Sequence, residues 1–419
     1  MAVVSTDVTT PDTAPPVRRG PWRVLSLVLA GFVALSGVRF FTGEATLTAS
    51  GTVSAALLLA VPIAMAALGG LWAERAGVIN IGLEGMMIFG TWFGAAGAYF
   101  TGNPWVGLLT GILGGVFGGA LHALATVTFG VDHIVSGVAI NILALGSMRY
   151  LAISFFETEP GGGAATSPPL PGFPRITVPG LSELFVSIES RGWLIVSDLA
   201  GVLAGLTTQV SVVTVLAVLL ISLSFYILWR TPFGLRLRSV GENPSAAESL
   251  GVKVYTFKYA ALLVSGGLAG LGGVFLAMVA SSAYQEGQTG GRGYIGLAAM
   301  IFGNWRPGGL AMGAGLFGYT DALQLRGTGT GVHALLLLVT LGLLLATVWQ
   351  TVRGRYALAG VLLVAAVLVA LWYINTDSLP RQFVTYTPHI TTLLVLSLAS
   401  QRLRPPAAVG VQWRRGQAT

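Results

Sequence analysis

Long apolar runs separated by short polar breaks organise the chain. After a polar, proline-containing start, apolar residues run from about Trp22 to Phe41, then near 50–73, 78–100, 104–130 and 134–156. Residues 157–190 interrupt the pattern with Pro and Gly and few basic residues. A short run at 192–206 and a longer one at 209–229 follow, then a polar stretch at 231–258. Beyond it lie apolar runs at 259–281, 293–304, 308–325, 332–352, 356–374 and 383–400. A helix crosses the hydrocarbon core with about 20 apolar residues. Most of these runs meet that length. The runs 192–206 and 293–304 do not, and are expected to be surface or re-entrant helices. The pattern predicts an all-α polytopic membrane protein with about 10–12 transmembrane helices.

Basic residues orient the runs. Arg18, Arg19 and Arg23 precede the first, Arg230 ends the run before the central polar stretch, and Arg353 and Arg355 separate two later runs. Arg402, Arg404, Arg414 and Arg415 follow the last. Lys and Arg in short loops mark the cytoplasmic side, so both chain ends are expected there and 157–190 and 282–292 outside. The first run lacks a small-residue cleavage site and reads as a signal anchor. This gives a disordered cytoplasmic tail at 1–21, a membrane domain at 22–401 and a second cytoplasmic tail at 402–419.

Composition sharpens this reading. Charged residues are only 9% of the chain and hydrophobic residues 54%, with mean hydropathy +0.77. Soluble domains carry about 25% charged residues, so the surface must face lipid. The net charge of +7 is accounted for by the cytoplasmic loops and does not point to nucleic acid. The absence of cysteine excludes disulfides and thiol chemistry. The 58 glycines suit close helix packing in lipid. The lysines are Lys253 and Lys258, and neither follows a glycine as a phosphate-binding P-loop requires. His122, His133, His333 and His389 stand in no metal-binding spacing, and no serine lies in GxSxG. No catalytic residue, metal site or cofactor is assigned, and the chain is not expected to be an enzyme.

Polar residues inside apolar runs are the candidates for function. ERAGVINIGLEGMM (74–87) carries Asn80 and Glu84. Four residues apart, they are expected on one helix face. A carboxylate at membrane depth costs about 2.5–3.5 kcal/mol, so Glu84 must meet a polar cavity or a hydrogen-bonding neighbour. In DHIVSGVAINIL (132–143), Asp132 caps a helix on which His133, Gly137 and Asn141 share a stripe, with Asn141 the lining candidate. QEGQTGGRGYIGLAAM (285–300) places Glu286 and Arg292 at the outer mouth, followed by Tyr294; Asn304, Trp305 and Asp321 are further candidates. IGLEGMMIFGTW (81–92) and IGLAAMIFGNW (295–305) match with one residue deleted, which suggests two related halves. The path set is therefore Asn80, Glu84, Asn141, Arg292, Tyr294 and Trp305.

The central stretch, TPFGLRLRSVGENPSAAESLGVKVYTFK, predicts a short helix in its middle. Asn243 caps it, Pro244 takes its first position and Gly251 closes it. Ala246, Ala247 and Leu250 are expected to form an apolar face, surrounded by Arg236, Arg238, Lys253 and Lys258. GLRLRSVGENPSAAESLG resembles the cytoplasmic coupling loop of ABC-importer permeases of the branched-chain amino acid, simple sugar and nucleoside superfamily. ERAGVINIGLEGMM, DHIVSGVAIN and GRGYIGLAAMIFGNWRPGG are similar to one permease arm of that superfamily, the one found in bacterial purine-nucleoside importers with a basic-membrane-lipoprotein receptor. The similarity covers about 50–331 and resumes near 384–411. His133 departs from the glutamine usual in the family, and 332–380 looks like an inserted helix pair. The resemblance implies a multi-pass protein of a bacterial cytoplasmic membrane that transports nucleosides or simple sugars. Its implied partners are a separate ABC ATPase, a second permease completing a heterodimer, and an extracytoplasmic solute-binding lipoprotein, all around membrane lipid. It also implies that Arg236, Arg238, Glu242, Asn243, Pro244, Ala246, Ala247 and Gly251 serve ATPase coupling. The competing reading is an ATP-independent secondary transporter or channel, which calls for a relay of intramembrane carboxylates where only Glu84 is evident.

Overall fold

The computed structural model describes residues 21–326, 329–380 and 403–414. Fifteen helices appear among them, in this order: α1 (Pro21–Thr42), α2 (Ser50–Arg75), α3 (Leu83–Thr101), α4 (Pro104–Ala123), α5 (His133–Phe156), α6 (Leu181–Glu189), α7 (Val196–Thr207), α8 (Val212–Arg230), α9 (Pro232–Glu242), α10 (Pro244–Ser249), α11 (Val254–Phe275), α12 (Arg292–Phe302), α13 (Pro307–Arg326), α14 (Gly329–Val352) and α15 (Tyr356–Asn375). α4 and α11 each end in a five-residue π-turn, Leu124–Thr128 and Leu276–Ala280. Two-residue strands β1 (Arg175–Ile176) and β2 (Val210–Ser211) pair antiparallel beside the outer loop. Seven helices are long and apolar enough to cross a membrane among the described residues, in keeping with the expected all-α polytopic class. The apolar run at 383–400 and His389 lie outside the described residues. The two short runs are short helices: α7 has 12 residues and α12 has 11.

α2 and α11 form the axis of the bundle. Of their most apolar windows, 72% and 89% are buried, against 11% for α15. Glycine lets α3, α4 and α11 touch backbone to backbone. A Cβ at Gly115 of α4 would lie 2.1 Å from the Gly266 carbonyl oxygen of α11, and one at Gly90 of α3 would lie 2.2 Å from that of Gly270. Helices approach this closely only where side chains are absent. Around this block, Trp72 Nε1 donates to Ser224 Oγ at 3.0 Å and joins α2 to α8.

A buried carboxylate fastens α1 to the body. Asp198 of α7 is 1% exposed, accepts hydrogen bonds from Ser36 and Thr48, and pairs with Arg39 Nε at 2.9 Å. A buried charge requires this kind of pairing. The pair α14–α15 packs on the same side, with Ala334 of α14 in one apolar cluster with Val38, Leu47 and Leu323. His333 stacks on Tyr373 with ring centres 4.7 Å apart, closing the open end of the hairpin.

Two sequence expectations change. The apolar run 78–100 is helical only from Leu83; residues 76–82 form a buried non-helical break in which Gly77 adopts φ +84°. The stretch 231–258 holds two helices rather than one, because Thr231 accepts the Gly234 N–H and Pro232 starts α9. Residues 403–414, in the expected second tail, lie on the face that carries α9 and α10.

Candidate functional site

The chain break between α2 and α3 meets the short helix α12. Glu84 is 7% exposed, and its carboxylate closes the N-terminus of α12: Oε1 accepts the Gly291 N–H at 2.9 Å and Oε2 the Gly293 N–H at 2.7 Å. The first N–H groups of a helix have no partner of their own and carry positive partial charge, so an anion there is favoured. Gly291 supports the turn with φ +80°, and a Cβ at Gly293 would lie 2.5 Å from the Glu84 backbone nitrogen. Asn141 plays the corresponding part for α3. Its Oδ1 accepts the Gly85 N–H at 2.7 Å, while Nδ2 donates to Ile81 O at 3.1 Å and to the Tyr294 hydroxyl at 2.8 Å. Two broken segments, one from each half, are thus braced by side chains from elsewhere in the fold.

The expected stripe on α5 is present. His133 Nδ1 accepts the Ile79 N–H at 3.4 Å, Gly137 packs on Gly82 and Ile81, and Asn141 completes the row. Asp132 caps the helix through the N–H groups of Ile134 and Val135. His122 is buried between Ser136 Oγ and Ile79 O, at 2.8 and 2.9 Å.

The remaining path candidates separate. Asn80 precedes α3, so it does not share a helix face with Glu84. The glycines flanking the break turn its side chain toward α11, where Nδ2 donates to Ser265 Oγ at 2.9 Å. Its Oδ1 is buried and accepts no hydrogen bond among the described residues. Arg292 pairs with Asp321 at 3.7 Å, and Tyr294 is 46% exposed. Trp305 lies beyond the other end of α12. Its Nε1 donates to Glu74 Oε2 at 2.5 Å, and its carbonyl accepts Arg75 Nη2 at 2.6 Å. The repeat explains the separation only in part: its first copy straddles the start of α3, whereas the second runs off the end of α12 at Gly303. Glu84, Asn141, Arg292 and Tyr294 therefore gather at one end of α12, and Trp305 at the other. Glu74 and Ser265 completed this picture without having been singled out; Glu74 carried the same signal as Glu84, a carboxylate inside an apolar segment.

On the predicted outer side, the loop at 157–170 and the loop after α11 interlock. Ser167 and Tyr284 exchange two hydrogen bonds, at 3.0 and 2.9 Å. Burial pushes the Tyr284 phenol up to about 12, helped by the nearby Glu286 charge. A cavity of about 450 Å³ is lined by Ser54, Arg175, Thr208, Gln209, Thr214 and Arg326 among others.

The opposite face carries α9 and α10. Asn243 Oδ1 accepts the Ala246 N–H at 2.9 Å and Pro244 takes the first position, as expected. Gly251, at φ +81°, donates to Glu248 O at 2.8 Å while Val252 donates to Ala247 O at 3.0 Å, a Schellman closure. The apolar face divides. Ala247 and Pro244 point inward, whereas Ala246 and Leu250 point out, Leu250 being 84% exposed. Leu250 is the C-cap residue and leaves the helix, and Ala246 and Ala247, about 100° apart around the axis, fall on opposite sides of the edge of burial. The basic collar is also smaller than expected. Arg236 and Lys253 are exposed, but Arg238 turns back to Leu228 O at 2.9 Å and lies over the Trp229 ring, and Lys258 is buried within α11. Glu242 pairs with Arg75 at 3.9 Å.

An all-helical multi-pass bundle, with broken segments braced at its centre and a capped helix standing out from one face, defines a membrane permease. Residues 52–348 match the family described as branched-chain amino acid transport system / permease component, and the chain belongs to that family. It is 38% identical to the guanosine ABC transporter permease protein NupQ of Bacillus subtilis over 283 residues, covering 66% of this chain and 82% of that one. It is 34% identical to the nucleoside ABC transporter permease protein NupC of Lactococcus lactis, covering 65% and 81%. A third relative, TsgC13 of Haloferax volcanii, whose name offers a glucose ABC transporter permease as a proposal, is 32% identical over 88% of this chain and 98% of its own length. No solved structure matches the chain. It is a multi-pass membrane transport protein, as the apolar pattern required.

Proposed function

We propose that the chain is one permease subunit of an ABC importer for nucleosides, with simple sugars as the next choice. A separate ATPase drives it, a second permease completes the core, and an extracytoplasmic lipoprotein delivers the solute. The relatives named for guanosine and nucleoside transport support the solute class. The observation that carries the mechanism is α10: a helix capped at both ends that directs Ala246 and Leu250 into solvent from a buried platform. An exposed leucine beside Arg236 and Lys253 offers a partner an apolar knob ringed by charge. In this reading the solute passes the end of α12 where Tyr294 and Asn141 meet. The Tyr294 ring stacks on a base, and Arg292 supplies polar contacts. Glu84 acts by holding α12 in place, and Trp305 closes the inner end. Both oxygens of Glu84 already accept N–H groups, which favours a brace over the proton relay that an ATP-independent carrier would need.

The test is uptake of labelled guanosine into proteoliposomes holding the permease pair and its ATPase, with the solute-binding lipoprotein and ATP supplied on the sides that orientation demands. Leu250→Asp places a charge on the docking knob without touching the buried side of α10. It is expected to reduce ATP-driven uptake at least tenfold while the permease remains monodisperse. Undiminished uptake in vesicles without any ATPase refutes the importer.

A further inference from the structure

The underside of α10 is not made by the membrane helices alone. Residues 403–414 cross this face, and their backbone bonds to three separate places. The Arg404 N–H donates to Asn304 Oδ1 at 2.9 Å, at the turn between α12 and α13. The Ala407 N–H donates to Glu242 Oε2 at 3.1 Å and the Ala408 N–H to Gly241 O at 2.9 Å, at the end of α9. The Gly410 N–H donates to Gly77 O at 3.2 Å, in the break between α2 and α3. Trp413 then slides beneath α10. It is 7% exposed, packs with Val240, Ala247 and Val254, lies 5.4 Å from the Tyr255 ring, and donates Nε1–H to Ser245 Oγ at 3.2 Å.

We propose that residues 403–414 are a positioning strap. It holds α10 in register with the α2–α3 break and the α12–α13 turn, so that a push on α10 reaches both broken segments together. The proposal rests on α10 being the ATPase-docking helix. A six-residue helix has too few internal bonds to hold itself in water. Only Pro244 and Ala247 of α10 are buried, and Trp413 is the largest side chain beneath them. Two of the three places, Asn304 and Gly77, lie on the same two chain breaks whose far ends are closed by Glu84 and Asn141, and the third is the end of α9 next to α10. A rigid bridge between α10 and those breaks is what transmission across the bilayer requires, because mobile loops absorb displacement instead of passing it on.

Three variants test the strap in the assembled complex. Trp413→Ala removes the support of α10, and Trp413→Phe restores its apolar bulk without the indole N–H. Ala407→Pro deletes the donor to Glu242 at an exposed position and serves if Trp413→Ala does not accumulate. Deuterium exchange of amides 246–251 in the detergent-solubilised permease reads the helix itself, without reference to transport. Trp413→Ala is expected to speed that exchange at least tenfold. In proteoliposomes it is expected to cut uptake at least tenfold while ATP hydrolysis by the complex stays within twofold of the unaltered protein. Trp413→Phe is expected to recover most of the uptake. Unchanged exchange overturns the strap, as does normal uptake with α10 loosened. If the unaltered protein transports without ATPase, the importer reading fails, and the exchange result still decides whether the strap holds α10.

Discussion

Glu84 satisfies two N–H groups at the start of a helix whose N-cap, Gly291, lies 207 residues later in the chain. Replacing it with leucine leaves both donors buried without an acceptor, at about 1–3 kcal/mol each. Glu84→Leu is therefore expected to lower the thermal midpoint of the purified permease markedly in a detergent-based unfolding assay. Glu84→Gln keeps one acceptor oxygen but turns an amide toward the second donor, so it should fall between leucine and the native residue. Equal stability of all three would show that the brace carries no weight. The sequence marked Glu84 because a carboxylate in an apolar run is costly wherever it goes. Its partner left no mark, since backbone N–H groups have no residue code. Asn80 was misplaced for a related reason. Val78, Ile79 and Ile81 are as apolar as the helices around them, so hydropathy ran straight through a break that only Gly77 and Gly82 betrayed.

Helix ends were more legible than helix contacts. Asn243, Pro244 and Gly251 defined α10 correctly because capping is local chemistry. Thr231-Pro232 carried the same signature for α9 and was passed over because the stretch after it is basic. The glycine contacts among α3, α4 and α11 could be anticipated from glycine content but not assigned to partners. They make a direct prediction. Gly115→Ala puts a methyl group where the Gly266 carbonyl lies 2.1 Å away, and overpacking of this kind costs about 1–3 kcal/mol. Gly146→Ala in α5 has open space around it and should be neutral or slightly stabilising. Thermal unfolding of the two variants in one detergent separates them; matching midpoints would mean that the close contact at Gly115 sets no cost.

The bundle's membership was readable from run lengths, but its arrangement was not. α2 at the axis and α15 at the rim are both strongly apolar, since lipid tails and a protein interior make the same demand on composition. Only glycine and the few buried polar groups distinguish inside from rim. The hairpin α14–α15 illustrates the point: it is tied to the body through α1 rather than through the axis. From the basic residues we propose that its connection at Arg353 and Arg355 faces the cytoplasm. The chain contains no cysteine, so single cysteines can report this. An impermeant thiol reagent added to intact cells is expected to label Asp377→Cys and to spare Arg355→Cys. The reverse pattern would invert the hairpin and, with it, the side assigned to the termini.

The backbone contacts at Gly90, Gly115, Gly266 and Gly270 also constrain how such a molecule can change shape. Sliding between helices normally proceeds by side chains hopping between rotamers, and at these four glycines no side chain separates the helix backbones. α3, α4 and α11 must then travel as one keel, and any rocking of the subunit is shed to joints outside it. The available joints are the non-helical residues 76–82, the eleven residues of α12 and the turn at 303–306.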